Sequence, residues 1–163
     1  MRALIFTASE ILQFAVKIEQ NGEALYRTIA ERTAEPTVRK LFLFLAKEDL
    51  RHAGIFGQML SEVEKFEPME TYPGEYAAYM NAYTAEIIFP ATVIRELPPS
   101  TDPIAALDFG IRRELDSITY YMHAKDLVPP NHAEQLDQII AEERKHFIKF
   151  SEMKRRFLRK RAS

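Results

Sequence analysis

The chain has 163 residues, no cysteine and a formal net charge of −2 at pH 7. Its length suits one domain with a sizeable core, and its 47% hydrophobic and 28% charged residues are ordinary for a globular protein. The lack of cysteine excludes disulfides, thiolate zinc sites, iron–sulfur clusters and a cysteine nucleophile. Charge and hydropathy indicate neither a nucleic-acid nor a membrane partner. We therefore predict a single cytoplasmic domain over residues 1–163.

The first two predicted helices follow clear start signals. Thr7 and Glu10 fit a capping box, and the apolar residues that follow keep a helical period to about Arg32. Pro36 suits the first turn of a second helix, because proline lacks the N–H group that this position does not need. That helix is predicted to reach about Lys65.

The second half of the chain is predicted to contain two further helices. Residues 66–101 are rich in proline, tyrosine and threonine and lack a sustained period, so we expect a crossover there, with a domain linker as the alternative. Asp102 should cap a third helix to about Asp126. Asn131 should cap a fourth, which continues into a basic tail at about 154–163. The pattern predicts an all-α four-helix bundle with one long crossover between helices two and three.

Two of these helices carry a carboxylate three residues before a histidine. Asp49 and His52 form this pattern in helix two, and Glu143 and His146 form it again in helix four. Positions i and i+3 share one helix face, so an acidic oxygen and an imidazole nitrogen can reach one metal ion. Facing pairs of such helices are typical of bundles that bind two iron or manganese ions. These sites also require one inward glutamate from each of the other two helices.

An internal repeat supplies these glutamates. With a shift of 95 residues Glu19 aligns with Glu114 and Tyr26 with Tyr121, and a shift of 94 aligns the two carboxylate–histidine motifs. Both glutamates lie in the middle of an apolar stripe, where a bare carboxylate is costly unless compensated. Two divalent ions would balance four carboxylates, with two neutral imidazoles completing the set. The predicted metal ligands are Glu19, Asp49, His52, Glu114, Glu143 and His146.

Simpler interpretations exist for several of these features. A single carboxylate–histidine pair on a charged helix is usually a solvated surface, but two copies in register with inward glutamates favour a site. Glu48 and Glu142, four residues before the histidines, are alternative ligands. The other histidines, His123 and His132, are predicted to lie on the surface. The basic tail could contact an anionic partner, although cations at a helix C-terminus also simply complement the helix dipole.

The chain resembles the rubrerythrins of the ferritin-like di-iron superfamily over nearly its whole length. The resemblance rests on Glu19 with Tyr26, on Glu114 with Tyr121, and on the two carboxylate-x-x-histidine motifs. It implies a ferritin-like bundle that binds two iron ions, with manganese or zinc as substitutes. It also implies an oxidoreductase, either a peroxidase or a ferrous-iron oxidase, that reacts with peroxide or dioxygen.

A paired-iron site of this kind implies distinct roles for its residues. Asp49 and Glu143 would bridge the ions, and each histidine would bind one ion while an acceptor holds its other ring nitrogen. Tyr26 and Tyr121 are candidates to donate hydrogen bonds to the ligands, with packing at the end of the stripe as the alternative. Without metal, burial and like charge should raise the pKa values of all four carboxyl groups.

Three departures from the rubrerythrin pattern bear on activity. Without cysteine there is no rubredoxin domain, so electrons would have to come from a separate donor. Asp49 stands where glutamate is usual and is one methylene shorter, which could limit it to one metal or leave the bridge to Glu48. The additional glutamate of rubrerythrins, one turn after the third-helix ligand, is replaced by Ser117, with Gly22 at the repeat position. Its loss argues against efficient peroxidase activity.

One alternative function and one expectation about assembly remain. The bundle could be a non-catalytic metal-binding or iron-handling protein, in which a metal pair such as zinc only neutralises buried acids. The aromatic residues of the crossover predict a homodimer.

Overall fold

The computed structural model of the chain describes residues 7–63, 70–75, 78, 82 and 102–163. Four long helices account for most of them, and the predicted all-α four-helix bundle is confirmed. The helices are α1 (Ala8–Arg32), α2 (Pro36–Glu62), α3 (Pro103–Ala124) and α4 (Pro130–Ala162). A short 3-10 turn at Lys125–Leu127 follows α3. The predicted crossover at 66–101 lies largely outside the described residues.

Two helix starts use the predicted caps. The Glu10 amide donates to Thr7 Oγ1 at 3.2 Å, and the Thr7 amide donates to Glu10 Oε2 at 2.7 Å. This reciprocal pair satisfies two of the amides that a helix start otherwise leaves without partners. Asp102 caps α3 by accepting a hydrogen bond from the Ala105 amide at 3.1 Å.

Two helix boundaries differ from the prediction. Helix α2 ends at Glu62, before the predicted Lys65, which lies outside the described residues. Helix α4 begins at Pro130, with Pro129 rather than Asn131 at the capping position. A proline in the first turn loses no helical hydrogen bond and already has a helical φ, so the helix can start two residues earlier than a cap at Asn131 would allow.

The prediction that His132 lies on the surface is wrong, because α4 begins early enough to include this residue in its first turn. This residue is only 2% exposed, and its Nε2 lies 2.9 Å from Glu62 Oε2 at the end of α2. In the first turn of α4 its ring is directed at the neighbouring helix instead of solvent. His123, by contrast, is exposed as predicted.

The helices form two hairpins, in which α1 packs mainly against α2 and α3 mainly against α4. Connections as short as residues 33–35 make neighbouring helices antiparallel. Arg39 stabilises the connection between α1 and α2, because its side chain donates hydrogen bonds to the carbonyl oxygens of Ala30 at 3.3 Å and Thr33 at 2.9 Å. The core lies where the two hairpins face each other.

The aromatic residues of this core follow the internal repeat. Tyr26 packs edge-on against Phe150 with ring centroids 5.8 Å apart, and its repeat mate Tyr121 packs against Phe56 at 5.1 Å. Each tyrosine therefore contacts an aromatic ring of the opposite hairpin. Gly110 makes room for one of these rings, because a Cβ there would lie 2.5 Å from Phe150.

The basic tail is part of α4, which continues to Ala162. Lys154 pairs with Asp108, and Arg161 pairs with Asp102 at the start of α3. Exposed ion pairs of this kind contribute little to stability. They nevertheless show that two cations of the tail pair with acids of the same chain. Among the described residues, no helix is both long and apolar enough to cross a membrane.

Candidate metal centre

The structure brings all six predicted ligands together in the interior. Each helix contributes, and none of the six is more than 3% exposed: Glu19 from α1, Asp49 and His52 from α2, Glu114 from α3, Glu143 and His146 from α4. Their ligand atoms form two groups, each spanning no more than 4.8 Å, and Glu143 belongs to both. The first group is Glu19, Asp49, His52 and Glu143; the second is Glu114, Glu143 and His146.

Each histidine directs Nδ1 to the centre and Nε2 towards a glutamate outside it. His52 Nδ1 lies 2.8 Å from Glu143 Oε1, and its Nε2 lies 2.7 Å from Glu142 Oε2. His146 Nδ1 lies 3.7 Å from Glu143 Oε2, and its Nε2 lies 3.9 Å from Glu48 Oε2. Glu48 and Glu142 thus face the histidine of the opposite hairpin. An outer carboxylate of this kind orients an imidazole and strengthens its other nitrogen as a ligand.

The surface residue Arg51 contacts both outer glutamates and His52. Arg51 Nη2 lies 2.9 Å from Glu48 Oε2, also donates to Glu142, and is 3.3 Å from His52 Nε2. The two glutamates and the histidine could themselves hold an ion. The guanidinium lies among them, however, so they are better described as a salt-bridged cover over the centre.

Both predicted tyrosines contact a ligand of the opposite hairpin. Tyr26 Oη donates to Glu114 Oε1 at 2.8 Å, and Tyr121 Oη donates to Glu19 Oε1. Burial, with the adjacent carboxylate adding to it, raises the pKa of each phenol well above its usual range. The phenols therefore remain protonated donors that hold one oxygen of each glutamate.

The remaining ligand atoms suit a metal pair. Each of the six residues has at least one buried nitrogen or oxygen that makes no hydrogen bond of good geometry among the described residues, although Asp49 Oδ2 forms an ion pair with Arg113 and His52 Nδ1 lies close to Glu143. Such atoms are rare in proteins, because a buried polar group without a partner is costly. Carboxylate oxygens and imidazole nitrogens are the ligands of iron, manganese and zinc sites. The atoms are Glu19 Oε2, Asp49 Oδ2, His52 Nδ1, Glu114 Oε2, Glu143 Oε1 and Oε2, and His146 Nδ1.

The sequence profile of the rubrerythrin family matches residues 10–154. The chain belongs to the rubrerythrin family. Among solved structures, this rubrerythrin-family chain is similar to a Thermotoga maritima protein whose crystal structure is assigned to the ferritin-like diiron-carboxylate proteins. The two are 26% identical with a TM-score of 0.66, over 94% of this chain and 98% of the other. The predicted ferritin-like fold is therefore confirmed. A search of curated proteins finds no match to the chain.

This rubrerythrin-family centre contains a residue that the sequence analysis missed. The Arg113 side chain, only 1% exposed, enters the acid cluster: its Nη2 lies 3.0 Å from Asp49 Oδ2 and 3.6 Å from Glu19 Oε2. Its Nη1 lies 3.5 Å from Glu114 Oε1. The carboxylates around it keep its pKa raised despite burial, so it is a permanent cation in the cluster.

A signal for Arg113 was present in the sequence. It lies on a line of small residues on α3 at helical spacing, and small residues leave room for a long side chain to fold inward. On the facing helix α1, the small residue is Gly22, close to the guanidinium. The buried small residues on α3 are Ala106, Gly110 and Ser117.

The pKa values of the acids in the rubrerythrin-family site shift in different directions. Burial raises the pKa values of Asp49 and Glu114, as predicted. Burial also acts on Glu143, but the neighbouring Glu114 and both histidines outweigh it and hold the pKa of Glu143 well below its usual range. The prediction that all four acids are raised is therefore wrong for Glu143. Against the effect of burial, the adjacent Glu143 raises the pKa of His52 to about 11.

Proposed function

We propose that this rubrerythrin-family protein is a di-iron oxidoreductase that reacts with peroxide or dioxygen, as a peroxidase or a ferrous-iron oxidase. The observation that carries the proposal is the convergence of six buried carboxylate and imidazole side chains into two groups of ligand atoms that share Glu143. Iron as the native metal is supported by the similar Thermotoga maritima protein, which is assigned as a diiron-carboxylate protein. Manganese and zinc would suit the same ligands.

The two ligand groups would hold one ion each. Glu19 and His52 would bind one ion, Glu114 and His146 the other, and Glu143 has one oxygen available for each group. Asp49 belongs to the first group only, as its shorter side chain suggests. Bound ferrous iron would supply the electrons that reduce an O–O bond.

The protein's own residues would keep this centre ordered and dry. Tyr26 and Tyr121 each hold one glutamate oxygen by a hydrogen bond, which leaves the other oxygen for metal. Glu142 faces Nε2 of His52 and would retain the proton there, so that Nδ1 is the metal-binding nitrogen. Complete burial of the four acids excludes bulk water.

A second candidate is a non-catalytic metal pair that stabilises the bundle. It is favoured by Ser117 and Gly22, which stand where rubrerythrins are expected to have a further carboxylate or its repeat mate. The catalytic proposal includes a separate electron donor, since the 163 residues contain no cysteine for a rubredoxin centre. We also propose a homodimer in the cytoplasm, without nucleic-acid or membrane partners.

Anaerobic loading with ferrous iron distinguishes the two candidates. We expect up to two irons per chain by metal analysis, followed by an absorbance change when oxygen or hydrogen peroxide is added. Glu143→Ala should abolish the change, because it removes the carboxylate common to both groups. Glu152→Ala, an exposed acid on the same helix, is the matched control and should react like the parent. Iron binding without any oxidation-dependent absorbance change would favour the non-catalytic pair.

A further inference from the structure

We propose that Arg113 is a resident cation of the metal centre that engages Asp49 and makes the two metal positions unequal. The position formed by Glu114, Glu143 and His146 then fills first, and the position next to Asp49 fills more weakly, by about tenfold or more. This inference rests on the proposed function, since it concerns the metals of the same centre.

The first support is the contact between Arg113 and Asp49. Nη1 donates to Asp49 Oδ1 at 3.2 Å, and Nη2 lies 3.0 Å from Oδ2. A two-pronged arginine–carboxylate pair is among the stronger polar contacts in proteins. Both oxygens of Asp49 therefore already face a cation, and a metal ion that uses Asp49 must compete with the guanidinium.

Contacts with α1 hold the guanidinium of Arg113 in this position. A Cβ at residue 22 would lie 2.1 Å from Arg113 Nη2, so the glycine provides the space that the side chain fills. The carbonyl oxygen of Ile18 accepts a hydrogen bond from Nη2 at 3.4 Å. The ring of Tyr26 lies against the cation, with its centroid 5.0 Å away.

Arg113 also breaks the symmetry of the repeat. With the shift that aligns Glu19 with Glu114, Arg113 aligns with Ile18, so the first hairpin has no equivalent cation. The guanidinium approaches two acids of the first group, Asp49 at 3.0 Å and Glu19 at 3.6 Å. It also lies 3.5 Å from Glu114 in the second group and 3.9 Å from Glu143, which belongs to both groups, but neither contact is as short as the one to Asp49. Its charge should therefore repel an ion in the first group more.

The charge balance gives the same order of filling. Four ionised carboxylates and one guanidinium carry a net charge of −3, which one divalent ion reduces to −1. A second ion would leave a charge of +1 in a buried site, where uncompensated charge is costly. Without Arg113, two divalent ions would balance the four acids, and the second ion would bind more tightly.

The test is an anaerobic titration of the full-length apoprotein with Co²⁺, followed by calorimetry and by metal analysis after gel filtration. We expect the parent to retain one ion and to bind a second only in excess metal. Arg113→Met should retain two ions, with the affinity for the second ion raised by about tenfold or more. Arg113→Lys keeps the charge and should keep the two affinities apart. Arg112→Met, which changes the exposed neighbour, is the matched control.

A purely structural role for Arg113 would lower the melting temperature of Arg113→Met without changing the ratio of the two affinities, and that result would overturn the inference. If Arg113→Met does not fold, the histidine variants decide. His146→Ala should lose the tightly bound ion and His52→Ala should retain it; the reverse pattern overturns the inference. Equal affinities in the parent also overturn it but leave the metal pair intact, whereas a parent that binds no metal contradicts the proposed function itself.

Discussion

Tyr26 and Tyr121 illustrate how single side chains connect the two hairpins at the centre. Each lies on the same stripe as a glutamate of its own helix but donates its proton to the glutamate of the other hairpin. The two interpretations considered for these residues, hydrogen bonding and packing, therefore both hold. The ring packs against an aromatic residue of the opposite hairpin while the hydroxyl holds a carboxylate.

We expect Tyr26→Phe to weaken metal binding by about tenfold, because Glu114 loses the donor that orients it. The apoprotein should also lose about 1–3 kcal/mol, the cost of leaving a buried polar group without its partner. Tyr120→Phe is the matched control, since its hydroxyl donates to the carbonyl of Ile11 and contacts none of the six ligands in any described hydrogen bond. Cobalt titration and denaturant unfolding measure the two effects. Equal weakening of metal binding in both variants would show that Tyr26 does not act through Glu114.

Within the helices, positions that face another helix in the core restrict the size of the side chain, whereas positions on the outside do not. Gly110 on α3 lies beneath the Phe150 ring, where a Cβ would come within 2.5–2.8 Å of three ring atoms. On α2, a Cβ at Gly54 or Gly57 would meet nothing within 4 Å. These glycines have the same helical backbone, so only their surroundings differ.

Gly110→Ala should therefore destabilise the protein by about 1–3 kcal/mol, the usual cost of inserting a methyl group into a packed core. Gly54→Ala should stabilise it by about 0.5–1 kcal/mol, because alanine is the better helix former and its methyl group has space. Urea unfolding of both variants against the parent measures the difference. A stabilising Gly110→Ala would mean that α3 and α4 pack less closely than the structure indicates.

In the whole molecule, the metal-free centre makes stability depend on pH. Asp49 and Glu114 have raised pKa values in the folded state, and the pKa of His52 is raised from 6.5 to about 11. In the folded state each of these groups keeps its proton up to a higher pH than in the unfolded chain. Their contribution to the free energy of unfolding is therefore lost as the pH rises. Glu143 is shifted the other way, and its stabilising contribution is fully present above its usual pKa of 4.5. It therefore adds no slope near neutral pH.

The apoprotein should consequently be less stable at pH 8.5 than at pH 6. Metal binds the deprotonated ligands, so the gain in melting temperature on adding Co²⁺ or Fe²⁺ should be larger at pH 8.5. Thermal unfolding with and without metal at the two pH values measures this. In the double variant Glu19→Ala with Glu114→Ala most of the gain should disappear. A gain that is unchanged in this variant at pH 8.5 would show that these glutamates do not bind the metal.

The sequence by itself determined the local features of this protein. The capping box at Thr7, the four helices and the spacing of each carboxylate and histidine follow from interactions between residues a few positions apart. The repeat added the pairing of Glu19 with Glu114, because equivalent positions in two similar hairpins occupy equivalent places. These local rules sufficed to choose six residues that the fold brings together, and their role as metal ligands stays a prediction.

The tertiary structure alone decided which groups meet across helices. The inward position of Arg113, the burial of His132 against Glu62 and the lowered pKa of Glu143 all depend on residues of another helix. The same is true of Glu48 and Glu142, each of which faces the histidine of the opposite hairpin. Helical periodicity states which face of a helix a side chain occupies, but not what the facing helix presents at that height. That depends on how closely the helices pack, which here is set by small residues such as Gly22.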